Sequence, residues 1–371
     1  MPAHRDVFAP RGSAAPGGTR RAPSRAEGRR RPSRRVIRRR RAVVLAIPVA
    51  FGIALALALS GGGPGPATLA PAHAATGTTR RVHPRVQVSA ALLPWRLGTP
   101  LSREAVFPAG GSQVLVAGGL VAGNSETAVD TLDLRTGAVR AAGQLAVATH
   151  DAAALALPGR DVVVGGGSAA PAAGVQALRP GATASVTATL PQARADATGT
   201  VRDGVGYVVG GYDGPAGDPA VLATGDGRGF STVAQLAVPV RYGACASLGH
   251  ALYVFGGTTI GGTPVSTIQR IDLATHRSAV VGHLPVALGG AQAATIGGTV
   301  YLAGGRSASG DSTAVYAFSA RRATVSLVAH LPVALAYGAG VRIGDHLYLI
   351  GGEDSAGNEV STAEVVTATT R

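Results

Sequence analysis

The apolar positions of this chain fall into short runs that recur with a nearly constant period. VLVAGG, VVVGGG, YVVGG, YVFGG, YLAGG and YLIGG end on glycine pairs at Gly118-Gly119, Gly166-Gly167, Gly210-Gly211, Gly256-Gly257, Gly304-Gly305 and Gly351-Gly352. The first glycines of these pairs are 48, 44, 46, 48 and 47 residues apart. Tyr207, Tyr253, Tyr301 and Tyr348 each stand three residues before a pair. A second marker keeps step with the first: Leu93-Pro94, Leu145-Ala146, Leu190-Pro191, Leu236-Ala237, Leu284-Pro285 and Leu331-Pro332. Self-similarity at this spacing means one supersecondary unit used six times.

Within each unit a strand of small residues (AAALAL, GACASL, AQAATI, YGAGVRI) leads through a short turn, such as Leu248-Gly249-His250, into the aliphatic strand that ends at the glycines. A polar loop follows, then strands such as TAVDTLDL and VSTIQRIDL with a turn of the type RTG or ATH. Each unit therefore predicts four short antiparallel strands. Small side chains suit inner strands crowded around an axis. Glycine after the second strand supplies a positive φ or an unhindered backbone where the chain leaves a packed blade. The repeats begin with a fourth-strand pattern, VQVSAALLPW, and end on EVVTATT, so one blade must be composite. Residues near Val86 to Leu92 are expected to pair with the C-terminal strand and close a six-bladed ring.

These motifs resemble the kelch-repeat β-propeller family, of the galactose oxidase and kelch-like superfamily, in a bacterial secreted or membrane-anchored form. The resemblance covers roughly residues 86 to 371. The Trp usual in the fourth strand of such repeats is missing, and the Arg after Leu-Pro survives clearly only at Arg194. The resemblance implies an all-β, six-bladed kelch-type propeller with four antiparallel strands per blade. It brings two enzyme comparisons, galactose oxidase and a periplasmic sialic-acid mutarotase. The first needs copper and a Cys-Tyr crosslink, for which Cys245, in a strand of small residues, is poorly suited. The second needs only a polar central pocket with carboxylates and Arg.

Ahead of the repeats, RRRPSRRVIRRRR (Arg29 to Arg41) runs into AVVLAIPVAFGIALALALS (Ala42 to Ser60). Such an apolar run nearly spans a hydrocarbon core of about 30 Å, and flanking arginines stay cytoplasmic. The expected organisation is a basic cytoplasmic tail at 1–41, a transmembrane anchor or signal h-region at 42–60, a flexible linker at 61–85 and the propeller at 86–371. The propeller would then lie outside the cytoplasm, anchored at the cell membrane, or secreted after cleavage at Ala72-His73-Ala74 or Ala58-Leu59-Ser60.

Charge changes the picture less than its total suggests. The formal net charge is +14, but 14 of the 34 Arg lie between Arg5 and Arg41, leaving 20 Arg against 18 acids beyond them. No basic face is left for nucleic acid. The chain contains no lysine, which excludes Schiff-base chemistry and a P-loop. The single cysteine, Cys245, excludes an internal disulfide and a Cys-cluster zinc site. His283 and His330 stand at matched places in the repeat, and no HxH or HExxH spacing occurs, so neither metal nor other cofactor is expected.

In an antiparallel blade the connection into strand one and the connection out of strand two share one face. That face collects His150, Asp151, Arg194, Asp196, Arg241, Tyr242 and Tyr337 from the lead-in segments, and Tyr212, Asp213, Arg306, Glu353 and Asp354 from beyond the glycine pairs. Each is also the kind of residue a solvated loop carries. As a set they form the candidate ligand-binding site, with arginine forks suited to a carboxylate or sugar acid. No catalytic residue is assigned. The expected function is an extracytoplasmic binding module, monomeric, for a protein or glycan ligand. The alternatives are a carbohydrate-active enzyme and a structural component of the cell envelope.

Overall fold

The computed structural model describes residues 86–370. The expected basic tail, hydrophobic segment and linker lie outside these residues. Among the described residues no helix is long and apolar enough to cross a membrane. The chain forms six radial sheets, each built on four antiparallel strands, and is a six-bladed propeller.

Blade one contains Ala105–Gly110, Gln113–Ala117, Ala128–Asp133 and Val139–Gln144, from axis to rim. A two-residue strand from the next repeat, Ala182–Thr183, runs parallel to its outer edge. Blades two to five are continuous stretches that begin with the inner strands Ala153–Leu157, Thr198–Arg202, Ala244–Leu248 and Gln292–Ile296. Blade six is split. Ala339–Ile343, His346–Ile350 and Ala363–Thr370 come from the C-terminal end, and Val86–Leu92 supplies the outer strand, in register from Val86 opposite Thr370 to Leu92 opposite Glu364. The closure expected from the pattern of strand types is thus present.

Side chains of a radial sheet point at the neighbouring blades, so the core is divided among the seams. Six apolar clusters correspond to the six seams. Between blades four and five, for example, Tyr253, Phe255 and Ile268 meet Val300, Leu302 and Phe318. Stacking of this kind leaves each blade dependent on both neighbours.

The glycine pairs join one blade to the next. The amide of the second glycine donates to a carbonyl on the following lead-in segment: Gly211 to Val240 (2.8 Å), Gly257 to Leu288 (2.8 Å) and Gly352 to Leu101 (2.8 Å). A Cβ on the first glycine would collide with that same carbonyl. At Gly304, with φ of +69°, it would lie 2.7 Å from the Leu335 oxygen. Both backbone conformation and the close approach therefore demand glycine.

Two markers shift by this test. In blade two the residue donating across the seam is Gly166, to Arg194 (2.8 Å), so the pair is Gly165-Gly166 rather than Gly166-Gly167. Three successive glycines left that register open in the sequence. The leucine markers of the second to sixth repeats donate their amides to the residue just before the third strand of the blade they leave, as Leu236 does to Pro219 (2.7 Å) and Leu331 to Thr313 (2.7 Å). In the first repeat Leu97 makes the equivalent bond, to Ser361 (2.8 Å), two residues before Ala363–Thr370, whereas Leu93 extends the closing strand by bonding Ala363 (2.9 Å). The first marker is therefore Leu97-Gly98, not Leu93-Pro94.

Candidate functional site

Six residues after each leucine marker the chain turns through a left-handed conformation. The residues are Arg103, Asp151, Asp196, Tyr242, Gly290 and Tyr337, with φ of +58°, +54°, +59°, +52°, +67° and +56°. Five of them are not glycine, and non-glycine residues rarely adopt this conformation. Their backbones form a closed circle. Asp151 donates to Arg103 (3.0 Å), Asp196 to Asp151 (3.0 Å), Tyr242 to Asp196 (2.9 Å), Gly290 to Tyr242 (2.9 Å), Tyr337 to Gly290 (2.9 Å) and Arg103 to Tyr337 (2.9 Å). One residue per blade is thus held at the axial mouth, and strain held at a closed ring motivates a functional interpretation.

The side chains of this ring meet across the axis. Arg103 of blade one donates through Nη1 to the Tyr242 hydroxyl of blade four, directly opposite (2.8 Å), and to Asp151 Oδ2 (3.0 Å). Tyr242 donates in turn to Asp151 Oδ2 (3.0 Å), and Arg103 Nε donates to Glu353 Oε1 (2.5 Å). Tyr337 covers Gly290, where a Cβ would lie 2.6 Å from the ring, and meets Tyr242 edge to face at 4.9 Å. Beneath this bar a cavity of about 400 Å³ runs along the inner strands.

Two further arginines, Arg241 and Arg306, flank the ring. Arg241 is paired with Asp196 and lies 3.9 Å over the Tyr212 ring. Arg306 grips Asp311 with Nε (2.7 Å) and Nη2 (3.3 Å), reaches Glu353 Oε2 (3.4 Å) and stacks 5.1 Å from the Tyr337 centroid. Burial, then the charge of Asp151, pushes the Asp196 carboxyl up to about 7, although Arg241 pulls it down. Burial also lifts the Tyr242 phenol, with Asp151 and Asp196 adding to the effect. Burial lowers His150, with Asp151 opposing.

The structure brings together most of the residues expected on this face. Asp151, Asp196, Tyr242 and Tyr337 stand in the ring itself. His150, Tyr212, Arg241, Arg306 and Glu353 stand one step outside it, on the isolated bridges that tie lead-in segments to the residues after the glycine pairs. Arg194 does not belong with them. It is buried, paired with Asp218 and donating to the carbonyls of Gly210 (3.1 Å) and Ala220 (2.7 Å), so it braces blade three. Asp213 accepts from the Ala216 amide (2.9 Å) and Asp354 from the Ala356 and Asn358 amides (2.9 Å each), so both fold their own loops.

Arg103 and Asp311 complete the network and were not expected. Counting 14 residues back from the first glycine of each pair gives Asp151, Asp196, Tyr242, Gly290 and Tyr337, but gives Glu104 in the first repeat. A β-bulge between Pro108 and Gly110 adds a residue there and moves the position to Arg103. Cys245 is buried, and its thiol is pushed up to about 12 by burial, as for a packing residue. Among the described residues no group of three or more His, Cys, Asp or Glu stands together as a metal site.

Fold and site together define a six-bladed propeller of the kelch type with a polar, aromatic mouth on its axis. No family model matches the sequence, and no curated protein matches it. Among solved structures the chain is similar to YjhT, at 16% identity over 75% of this chain and 99% of that one, with a TM-score of 0.65. At that identity the likeness concerns the fold alone.

Proposed function

We propose that this chain is an extracytoplasmic binding module whose axial mouth takes a neutral, hydroxyl-rich ligand, a glycan segment in particular. The observation that carries this is the pairing of every mouth arginine. Arg103, Arg241 and Arg306 face Asp151, Asp196, Asp311 and Glu353, so three cations meet four carboxyl groups. An acidic sugar would have to displace a carboxylate already in place and desolvate its own charge, which is costly. A neutral sugar gains from the same groups, since paired arginines and carboxylates still offer donors and acceptors to hydroxyls. Tyr212, Tyr242 and Tyr337 supply partly open aromatic surface for the apolar faces of sugar rings. Of the arginine forks that the sequence offered to a carboxylate or sugar acid, Arg194, Arg241 and Arg306 each already meet a carboxylate of the chain. The basic and apolar segment at 29–60 supports a membrane-anchored position with the propeller outside the cytoplasm.

A second function is favoured by one observation: Asp196 lines the axial cavity beside Arg241, and burial raises its carboxyl to about 7, which suits general acid-base work on a sugar. The test is a screen of the full chain, in detergent, against neutral glycans, acidic glycans and envelope proteins. Retention of neutral glycans by the parent and its loss in Arg241→Ala is the expected result. Retention of acidic glycans alone, or equal binding by the variant, overturns the proposal. Conversion of a bound sugar, followed by NMR and lost in Asp196→Asn, assigns the enzyme function instead.

A further inference from the structure

The third strands of alternate blades carry a buried amide or acid at one matched position: Gln176 in blade two, Gln269 in blade four and Glu364 in blade six. Each faces the residue two beyond the leucine marker. Gln176 accepts from the Val147 amide (2.9 Å) and donates to the Val147 carbonyl (3.0 Å). Gln269 does the same with Val238, at 2.9 Å for both bonds. Glu364 accepts from the Val333 amide (2.9 Å), but its Oε2 is buried with no partner. The side chain is 0% exposed.

Nothing around Glu364 answers a negative charge. Its face is shared with Val366 and Ala368, which pack on blade five. The titratable side chains on the surrounding elements are Tyr301, Tyr316 and His330 in blade five, Tyr337 on the lead-in segment, and His346 and Tyr348 on the neighbouring strand. The strands Thr299–Ala303, Ala314–Ser319, Thr324–His330 and His346–Ile350, residues 331–338 and Val86–Leu92 contain no Arg, no Asp and no Glu. An ionised carboxylate in such a place is heavily penalised unless paired. The neutral acid has the missing donor, and its geometry then matches the two glutamines.

We propose that Glu364 is a proton-operated clamp, which as the neutral acid donates to the Val333 carbonyl and holds the lead-in segment of the closing blade, and as the carboxylate releases it. Four residues beyond Val333 that segment supplies Tyr337 to the axial mouth, so release also loosens one wall of the site. Burial holds the carboxyl up at about 7, with the Val333 amide pulling it down. For an acid raised in the folded state, the stabilisation is complete below the ordinary value of 4.5 and is lost as pH rises through about 7.

The test compares melting temperatures of the full chain, wild type and Glu364→Gln, from pH 5 to 9. The expected result is coincidence at pH 5 and, above pH 7, a wild-type melting temperature several degrees below that of the variant. Gln176→Glu should import a second loss of the same kind. Hydrogen exchange of residues 333–337 should rise with pH in the wild type beyond its intrinsic dependence, and not in Glu364→Gln. Parallel melting curves overturn the clamp. Should Glu364→Gln not fold, carboxyl NMR of the wild type decides: a midpoint near 7 supports the clamp, and one at an ordinary carboxylate value overturns it.

Discussion

Two concentric circles at one end of this propeller are built by opposite rules. The outer circle is uniform: each glycine pair makes one backbone bond to the next blade, and a side chain at its first position would strike a carbonyl. The inner circle keeps the same backbone geometry at all six places but carries Arg, Asp, Asp, Tyr, Gly and Tyr. Where blades must fit, the repeat permits one residue. Where backbones already satisfy one another, the side chains are free to diverge, and rigid scaffolds place recognition at such positions.

The comparison is broken most severely by opening the ring that both circles need. Deleting Val86–Leu92 leaves the edge of Ala363–Thr370 unpaired and should abolish a single cooperative transition in thermal unfolding. An unchanged midpoint would show that closure is dispensable. Next comes Gly210→Ala. Its Cβ would lie 2.5 Å from the Val240 carbonyl at φ of +68°, and a cost of about 3 kcal/mol is expected in urea unfolding. Gly249→Ala, at φ of +59° in open space, should cost only about 1 kcal/mol. Equal costs would mean that conformation, not the seam, selects the glycine pairs.

In the inner circle, Arg103→Met removes the cation shared by Asp151 and Glu353. The arginine side chain is 23% exposed, which tempers the loss to about 2 kcal/mol in the same assay. Arg241→Ala leaves Asp196 buried without its partner, but burial raises that carboxyl to about 7, so it can take up a proton and the cost should stay at about 1 kcal/mol while binding changes. The last test is made across pH rather than at one pH and concerns Glu104, whose counterparts in the other blades are Ala152, Ala197, Gly243, Ala291 and Gly338. It bonds the Ala339 amide (3.2 Å), and burial lifts it to about 8, against hydrogen bonds from its own and the Ala339 amide. Its contribution is complete below 4.5 and lost as pH rises through about 8. Glu104→Gln should therefore flatten the alkaline limb of a melting-temperature profile; an unaltered limb would remove Glu104 from the account.

The outer circle could be read from the sequence because steric necessity writes the same letters six times. The inner circle was legible wherever the leucine marker was right, because the lead-in segments after it carry Asp151, Asp196, Tyr242 and Tyr337. Arg103 was hidden by one bulged residue and by Leu93-Pro94, whose letters imitate a marker but belong to the closing strand. Arg194 shows a different limit. It stands two residues before Asp196 in the chain, yet turns into the blade to meet Asp218, and no spacing reports which way a side chain turns. The neutralisation of Arg103, Arg241 and Arg306 was likewise invisible, because their carboxylate partners lie 48 and 250, 45, and 5 and 47 residues away. Only the fold brings those charges together.

The most direct measurement is an equilibrium titration of the full chain with a neutral glycan retained in the screen, comparing wild type, Arg241→Ala, Tyr242→Phe and the exposed control Arg322→Ala. The mouth predicts a loss of about tenfold or more for each of the first two variants, equivalent to about 1.4 kcal/mol, and none for the control. Undiminished affinity in Arg241→Ala and Tyr242→Phe would place the ligand elsewhere on the propeller.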